Sequence, residues 1–227
     1  MNVNLISITK PVDGTVITAA HGGMDAEDLI AYCARVSNPK NQMNTATAPK
    51  LIKFLIKHKH WSPFELTSMC VEIKTSRAIA TQILRHRSFS FQEFSQRYSE
   101  ATELEDYELR KPAEKNRQSS SEAFKNKGLG SVYHIANRAM RGAMVAYQDL
   151  LDAGVAKECA RAVLPLNTKT TMYMNGTVRS WIHYINLRTE ENTQKEHRDV
   201  ACAIQDIFVK QFPNTSEALN WIEKKEV

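Results

Sequence analysis

The feature that most constrains the fold of this chain is a strand pattern that runs straight into a helix pattern. Met69, Val71 and Ile73 occupy alternate positions, which predicts a strand with one buried face. From 77 to 86 the apolar spacing becomes helical, and His86 falls on the apolar face. The polar stretch that follows is therefore expected to begin as the last turn of a core helix.

That polar stretch, Arg85 to Tyr98, carries more chemically active side chains than a solvated loop normally does. Its fourteen residues include three arginines, one histidine, one carboxylate and four hydroxyls. Arg85 and Arg87 offer fixed forks of donors that match phosphate oxygens, and Glu93 can accept from a base, a sugar hydroxyl or an arginine. We interpret the stretch as a site for a phosphorylated ligand that carries a ring.

Less specific interpretations of the same stretch stay open. If the chain is extended, Glu93, Ser95 and Arg97 project to one side and form a polar wall. The alternative is that Glu93 and Arg97 make a surface ion pair worth ~0–1 kcal/mol. Arg85 and Arg87 are also favoured simply because cations near a helix C-terminus interact well with the helix dipole.

The C-terminal third supplies further cations next to apolar helix positions. These are Arg161, Arg179, His183 and Arg188. Arginines so placed are costly to bury unless anions pair with them, and bonds between arginine and phosphate can be bidentate and strong. A dinucleotide cofactor and a nucleotide substrate would together provide several phosphates.

Other catalytic patterns are missing from the sequence. It has no Gly-x-Gly-x-x-Gly or Gly-x-x-x-x-Gly-Lys-Ser/Thr loop, so bound phosphates are expected to be held by arginines. No His-Glu-x-x-His motif or cysteine spacing predicts a metal site. Ser88, Ser90 and Ser95 lie near His86 in sequence, but they are predicted to form hydrogen bonds rather than to act as nucleophiles.

The remaining sequence predicts helices joined by turns, with one long exposed connection. Spacing and capping residues predict helices over 26–37, 48–57, 134–152, 158–164, 178–187 and 193–212, a hairpin from strands 3–9 and 14–20, and a short final helix near 219–222. Ser62 is expected to cap a turn, Thr193 and Glu196 to form a capping box, and 168–175 to be a strand or an extended loop. Residues 111–130 predict an exposed loop that is either a lid or a disordered insertion.

Size and composition fit a single soluble domain spanning residues 1–227. The 42% apolar and 24% charged residues are typical of a globular protein, and no apolar run approaches the ~20 residues that cross a membrane. The N-terminus lacks a secretory pattern, so a cytoplasmic location is expected. Four irregularly spaced cysteines are predicted to be reduced, buried thiols. The net charge of +5 is spread along the chain, which suits anionic small ligands better than nucleic acid.

Three separated motifs resemble those of the flavin-dependent thymidylate synthases. The run Arg85-His86-Arg87, seven residues and then Ser95 resembles the family's signature, which continues through Arg97 and Tyr98. The other two motifs are His60-x-Ser62-Pro-Phe64-Glu65, and Ala160-Arg161 followed by Leu164-Pro165-Leu-Asn167, Arg179 and Leu187-Arg188. The likeness covers roughly residues 30 to 210, with the motifs in the family's order.

The resemblance implies a mixed α/β fold, with a central mostly antiparallel sheet flanked by helices, and a homotetramer with active sites at subunit interfaces. The implied reaction is reductive methylation of dUMP to dTMP, with FAD as cofactor and with NADPH and methylenetetrahydrofolate as co-substrates. Arg188 is the implied catalytic residue. The implied dUMP-binding residues are Gln82, Arg85, Glu93, Ser95, Gln96, Arg97, Arg161 and Arg188. The implied FAD-binding residues are Ser37, His60, Ser62, Arg85, His86, Arg87, Glu93, Thr177, Arg179 and His183.

The implied mechanism agrees with the residue types. Loss of the uracil N3 proton spreads negative charge over the ring; Arg188, always charged, can stabilise that anion but cannot act as the base. No enzyme thiol or other covalent nucleophile is then needed. The sequence departs from many members at Leu66 and Asn192, where they carry histidine, and at Thr177 and Gln92, where they carry asparagine. The alternatives are a flavin- or nucleotide-binding protein without turnover and a basic nucleic-acid-binding module.

Overall fold

A four-stranded antiparallel sheet forms the centre of the fold. The computed structural model describes residues 1–12, 24–101 and 103–222. The strands are β1 (Asn2–Ile8), β2 (Ser68–Ser76), β3 (Ser90–Glu93), β4 (Arg110–Pro112), β5 (Ser120–Ala123) and β6 (Lys169–Thr177). The sheet has the order β1-β2-β6-β3, and β4 and β5 form a separate two-stranded hairpin. The paired strands are all antiparallel, so the predicted mixed fold with a mainly antiparallel sheet is confirmed.

The strand predicted from the alternation of apolar residues lies inside this sheet. Along β2 the side chains of Met69, Val71 and Ile73 are completely buried, whereas Cys70 and Glu72 between them are partly exposed. Burial of such side chains contributes about 1.5–3 kcal/mol each. β6 pairs with β2 along the whole length of β2, so the segment predicted as a strand or an extended loop is a strand.

Helices surround the sheet, and several of them contribute side chains to the core on its buried face. They are α1 (Ala26–Ala34), α2 (Ala48–Lys57), α3 (Arg77–Ile83), α4 (Val132–Asp152), α5 (Lys157–Ala160), α6 (Val178–Arg188), α7 (Lys195–Gln211) and α8 (Pro213–Ala218). The largest fully buried side chains include Trp181 and Tyr184 of α6 and Phe208 of α7. Trp181 also donates from Nε1 to the carbonyl oxygen of Met69 at 2.9 Å, which ties α6 to β2. The helices predicted near α1, α2, α4, α6 and α7 are confirmed.

Two side chains predicted to cap the start of a helix do not do so. The turn after α2 is a 3-10 helix from Ser62 to Glu65, but Ser62 makes no capping bond. At the start of α7 the hydroxyl of Thr193 donates to the carbonyl of Leu187 at 3.3 Å, so it does not cap the helix. Glu196 bonds to Arg110 of the hairpin at 2.6 Å. A long-range partner has replaced the local one in the predicted capping box.

Other differences concern segments between the main elements. The predicted loop 111–130 contains β5 and most of β4, which pair as an exposed hairpin. α3 ends at Ile83, three residues before the predicted end, because the chain then closes through tight turns. The last helix among the described residues is α8, which lies earlier than predicted, since Pro213 starts a helix as well as ending α7. β1 pairs with β2, and the second strand of the predicted N-terminal hairpin, 14–20, lies outside the described residues.

The cysteines are unpaired, as predicted, but they are not buried. Cys33 and Cys70 are partly exposed, and Cys159 and Cys202 are exposed. The prediction of burial followed the general tendency of free cysteines to be buried, and it is wrong for these four. Within the described ranges, no helix is both long enough and apolar enough to cross a membrane.

Candidate active site

The C-terminal ends of α3 and α6 meet and bring two of the predicted site residues into contact. The helices follow β2 and β6, and because these strands are antiparallel, the helices start at opposite ends of the sheet. Their caps are Ser76, which accepts from the backbone N–H of Ile79, and Thr177, which accepts from that of Ser180. Thr177, implied by the resemblance to bind FAD, thus has a capping role in the single chain.

At this meeting point Arg188 donates from Nε to Nε2 of His86 at 2.9 Å. A guanidinium is always a donor, so the Nε2 of His86 carries the lone pair and the ring is neutral. Burial, together with the charges of Arg188 and His183, lowers the pKa of His86 to about 4. The ring of Tyr184 lies edge-on to His86, with centroids 4.8 Å apart. The site therefore presents a permanent cation held by a neutral imidazole.

The loop that carries His86 is held in place by a close aromatic contact. The chain turns through Arg85 and His86 with backbone bonds to the end of α3, and Phe89 then enters the core. The ring of Phe89 lies on Gly176 of β6, where an added Cβ would come within 2.4 Å of the ring. Gly176 is therefore required for this packing, which fixes the loop between α3 and β3 against the sheet.

Gln82, one turn before His86, joins the same cluster. Its side-chain oxygen lies 3.2 Å from Nδ1 of His197, and its Nε2 donates to Oε1 of Gln194 at 2.7 Å. His197 is completely buried, and the other ring nitrogen, Nε2, lies 3.0 Å from the hydroxyl of Tyr184. Sequence reasoning did not single out His197. The available signal was its position on the face of α7 that also carries the buried Val200 and other apolar residues.

A second group of predicted residues gathers around Glu158 at the start of α5. Arg97 binds its carboxylate from Nε at 3.0 Å and from the terminal nitrogen at 2.9 Å. Arg161 donates from Nε to its carbonyl oxygen at 3.2 Å. Gln96 is 7% exposed, and its Nε2 has no hydrogen-bond partner among the described residues. Ser95 is exposed beside them. The group combines two arginines with an unpaired buried amide.

Glu93 does not join Arg97 in either of the arrangements considered from the sequence. The extended run ends with β3 at Glu93, and the chain turns at residues 96–98, so Glu93, Ser95 and Arg97 do not form one extended wall. Glu93 is paired with Arg77 and accepts from the hydroxyl of Thr170 at 2.9 Å. The predicted Glu93–Arg97 surface pair is therefore wrong as well. Neither partner of Glu93 could be read from local spacing.

A third group lines a cleft of about 520 Å³ beside α6. The residues around it are Trp61, Glu65, Ser88, Arg179, Ser180, Ile182, His183 and Asn186. Arg179 pairs with Glu65 across the cleft. Arg179 and His183 were implied by the resemblance, whereas Trp61 and Asn186 were missed because neither has a motif position of its own. Ser37, His60 and Ser62 are exposed and lie outside this lining.

Several arginines near these groups have no carboxylate partner. In the described ranges of the chain, Arg85, Arg87, Arg161 and Arg188 form no ion pair with Asp or Glu. The principal clefts of that part of the chain do not bring Arg87, Arg161 and Arg188 together. Likewise, within it no group of three His, Cys, Asp or Glu residues is arranged to hold a metal ion.

Comparisons with known proteins agree in pointing to one family. The family model described as thymidylate synthase complementing protein matches residues 19–214. A probable flavin-dependent thymidylate synthase of Paramecium bursaria Chlorella virus 1 is 49% identical, covering 98% of this chain and 100% of the relative. A flavin-dependent thymidylate synthase of Synechocystis is 50% identical, covering 97% and 100%.

A solved structure is similar along nearly the whole chain. It is the crystal structure of PolB from Streptomyces cacaoi, a UMP/dUMP methylase bound with 5-Br dUMP. The TM-score is 0.76 at 28% sequence identity, and the alignment covers 97% of this chain and 95% of PolB. The likeness in fold therefore extends well beyond the three motifs.

Proposed function

Because the chain belongs to the family of flavin-dependent thymidylate synthases, we propose that it methylates dUMP reductively to dTMP. FAD is the cofactor, and NADPH and methylenetetrahydrofolate are the co-substrates. When bound, FAD that has been reduced by NADPH supplies the hydride that completes the new methyl group. The protein's own share is to bind, orient and stabilise charge, and the following steps concern only its residues.

The observation that carries this proposal is the contact between Arg188 and His86. Arg188 has a neutral partner, so its positive charge is not offset by a carboxylate in the described chain. Such a cation stabilises an anion strongly when water is largely excluded. Uracil that has lost its N3 proton is an anion of this kind, and its charge extends to C5, the carbon that receives the one-carbon unit.

The same geometry limits which groups can move the N3 proton. Arg188 cannot accept it, because a guanidinium stays protonated. His86 cannot accept it at Nε2 while that nitrogen holds Arg188. We therefore assign Arg188 to charge stabilisation and His86 to holding the guanidinium.

Covalent catalysis by a cysteine has no support in the chain. Burial raises the pKa of the Cys33, Cys70 and Cys202 thiols, which lowers the fraction of reactive thiolate. None of the cysteines within the described ranges lines the principal clefts. The reaction is accordingly assigned to charge stabilisation without an enzyme nucleophile.

The phosphate of dUMP is assigned to the group around Glu158. Two guanidinium groups bond to Glu158 there: Arg97 donates to its carboxylate, and Arg161 donates to its backbone carbonyl oxygen. An arginine can exchange an exposed carboxylate for a phosphate, since bidentate bonds to phosphate are strong. Gln96, next to Arg97 in the sequence, has a buried Nε2 without a hydrogen-bond partner among the described residues, and we assign it to the same group. Ser95 is assigned to the same anion as a hydrogen-bonding hydroxyl.

The cleft at Arg179 fits a flavin. Trp61 provides an apolar ring face, and Arg179, His183 and Ser88 provide polar groups around it. Arg85 and Arg87 extend from the neighbouring loop without carboxylate partners in the described residues, so they are available to a diphosphate. We assign these residues to FAD, together with His86, and extend the assignment to Ser37, His60 and Ser62 by their motif positions.

We assign the complete site to a homotetramer, in which neighbouring subunits bring the groups together. The support is α4, a helix of 21 residues in which only Tyr133 and Tyr147 are buried. Ile135 and Val145 on this helix are 58% and 60% exposed. Apolar faces of this kind on long helices commonly mark subunit contacts. Sedimentation or light scattering should give four times the 25.8 kDa of one chain, and a monomeric active enzyme would contradict the assignment.

The test of the function is direct. Purified protein should be yellow from FAD and should release the C5 hydrogen of labelled dUMP when given NADPH and methylenetetrahydrofolate. Colour without release would support a flavin-binding protein that has lost turnover. Tight, salt-sensitive binding to oligonucleotides without flavin would support a nucleic-acid-binding module instead.

A further inference from the structure

His197 has an environment that differs from that of an ordinary buried histidine. Its side chain is completely buried, and both ring nitrogens have partners from separate helices. Tyr184 of α6 lies at Nε2 and Gln82 of α3 lies at Nδ1. The imidazole therefore connects the helix that ends in Arg188 with the helix that carries Gln82.

The partners of Gln82 determine which ring nitrogen carries the proton. Gln82 donates from Nε2 to Gln194, so its oxygen must be the atom that faces His197. Nδ1 of His197 then carries the proton and donates to that oxygen. Nε2 is left with the lone pair and accepts from the hydroxyl of Tyr184, whose pKa is raised by burial. Burial, together with the neighbouring Arg188 and His86, lowers the pKa of His197 to about 3, in agreement with a neutral ring.

The side-chain amide of Gln82 is consequently held from both sides. His197 fixes its oxygen, and Gln194 fixes its nitrogen. Gln194 is itself bonded to Glu196, which Arg110 of the hairpin holds at 2.6 Å. An amide held in this way cannot exchange its oxygen and nitrogen without breaking two hydrogen bonds. One N–H and one lone pair of Gln82 remain available to a ligand, in fixed positions.

We propose that His197 is a positioning residue for the nucleotide, acting through Gln82: its Nδ1–H fixes the amide of Gln82 in the one orientation that receives dUMP. This rests on the proposed function and on the contact between Gln82 and dUMP that the family resemblance implies. Groups held in their bound orientation lose less entropy on binding, so the effect is expected in nucleotide affinity and not in the chemical step. A histidine that only fills the core would affect stability alone.

Two substitutions at this position separate the two ring nitrogens. In His197→Asn the amide reaches the place of Nδ1, so the donor to Gln82 is kept and the contact to Tyr184 is lost. In His197→Gln the amide reaches the place of Nε2, so the contact to Tyr184 is kept and the donor to Gln82 is lost. Both variants replace a buried ring with a smaller amide, so both are expected to lose thermal stability to a similar extent.

The measurement is the Kd of dUMP on the FAD-loaded protein, with kcat measured in parallel. We expect His197→Gln to weaken dUMP about tenfold, the loss of one oriented hydrogen bond of about 1.4 kcal/mol, and His197→Asn to stay within about threefold of wild type. The kcat of both should change little. Equal affinities in the two variants, or a larger loss in His197→Asn, would overturn the proposal.

A second background tests whether the effect passes through Gln82. In Gln82→Ala the substitution His197→Gln should not weaken dUMP further, since the amide that it orients is gone. A further tenfold loss would show that His197 acts elsewhere. If the His197 variants do not fold, Tyr184→Phe replaces them: it removes the hydrogen bond that anchors Nε2 of the ring, so His197 holds Gln82 less firmly and dUMP should bind severalfold more weakly. Unchanged affinity would overturn the proposal.

Failure of the inference can be told apart from failure of the proposed function. If the wild-type protein binds dUMP and turns it over, and the two His197 variants bind dUMP with equal affinity, the proposed function stands and His197 has no positioning role in it. Wild-type protein that neither binds dUMP nor releases its C5 hydrogen would overturn both.

Discussion

Arg188 donates to a neutral imidazole, His86, at 2.9 Å, and not to a carboxylate. The two residues are 102 positions apart and come together because α3 and α6 end at the same place. A carboxylate at that position would neutralise the guanidinium and reduce its attraction for an anionic uracil. The neutral partner orients the side chain and leaves its charge available.

Arg188→Lys should keep FAD and lose most turnover. Lysine retains the charge, but its single ammonium cannot bond to His86 and present a planar fork to the ring at the same time. Loss of one oriented charge-stabilising group lowers kcat about 10²–10³-fold. Single-turnover measurement of C5 hydrogen release, normalised to flavin absorbance, gives the comparison.

A suitable control for Arg188→Lys is Arg117→Lys, an exposed position in the turn of the hairpin. The control should retain wild-type turnover. Arg188→Lys with unchanged turnover would remove Arg188 from the mechanism.

Stability should fall as pH decreases from about 6.5 toward 4. The folded chain holds His86 and His197 neutral, with pKa values of about 4 and about 3, whereas an unfolded histidine titrates near 6.5. Between these values the unfolded state binds more protons, so acid favours unfolding. Because His86 is partly exposed, we expect a total loss of about 2–3 kcal/mol between pH 7.5 and pH 5.

Urea unfolding of the wild type and of His197→Asn at both pH values measures this loss. The variant lacks one of the two neutral histidines and should lose clearly less stability on acidification. An identical drop in both proteins would mean that His197 does not contribute to the acid sensitivity.

Glu158→Gln should strengthen dUMP binding about two- to fivefold. The carboxylate of Glu158 holds the guanidinium of Arg97, the group that we assign to the nucleotide phosphate. Both side chains are at least half exposed, so the pair is worth no more than about 1 kcal/mol and removing it has a modest effect. Titration calorimetry with dUMP measures the change.

The matched control is Glu100→Gln, which removes a similarly exposed carboxylate paired with Lys157. Its affinity for dUMP should equal that of the wild type. Weaker binding in Glu158→Gln would indicate that Glu158 orients Arg97 for the phosphate and does not compete with it.

Much of the framework could be predicted because it depends on local periodicity. Met69, Val71 and Ile73 alternate, and the helix of 132–152 has regular apolar spacing, so both elements were found within a few residues of their true ends. The β4–β5 hairpin was missed for the corresponding reason. Its residues are almost all exposed, so no alternation of buried positions marks the strands.

The partners within the candidate site could not be predicted, because long-range contacts overrode local ones. Glu196 has the spacing of a capping box, yet the bond to Arg110 is charge-assisted and stronger than a cap. Glu93 pairs with Arg77, which precedes it by a helix and a turn. Motif resemblance named the residues that would meet ligands, but it gave no sign of His197, whose ring nitrogens bond to the side chains of Tyr184 and Gln82.

Glu27→Gln should destabilise the protein by about 2–3 kcal/mol without changing kcat per folded enzyme. The carboxylate of Glu27 is 1% exposed and accepts from the backbone N–H groups of Asn214 and Thr215, at 2.9 and 2.6 Å, and from Nδ2 of Asn214. An amide places an N–H against one of these donors and leaves it unsatisfied in the core. Urea unfolding measures the loss, and Glu114→Gln, at an exposed position, should show none.

Ser95→Ala should weaken dUMP binding about three- to tenfold and leave measurable turnover. Ser95 is exposed beside Arg97, and no histidine lies within hydrogen-bond distance of its hydroxyl in the described residues, so nothing there activates it as a nucleophile. A hydroxyl that only donates to a phosphate contributes about 0.5–1.5 kcal/mol, which sets the expected change.

The KM for dUMP and the kcat should be measured together, with Ser99→Ala as the control nearby in the same segment. A rise in KM with kcat nearly unchanged supports a binding role. Complete loss of kcat at saturating dUMP, with FAD still bound, would mean that the serine takes part in bond making and that the charge-stabilisation mechanism must be replaced.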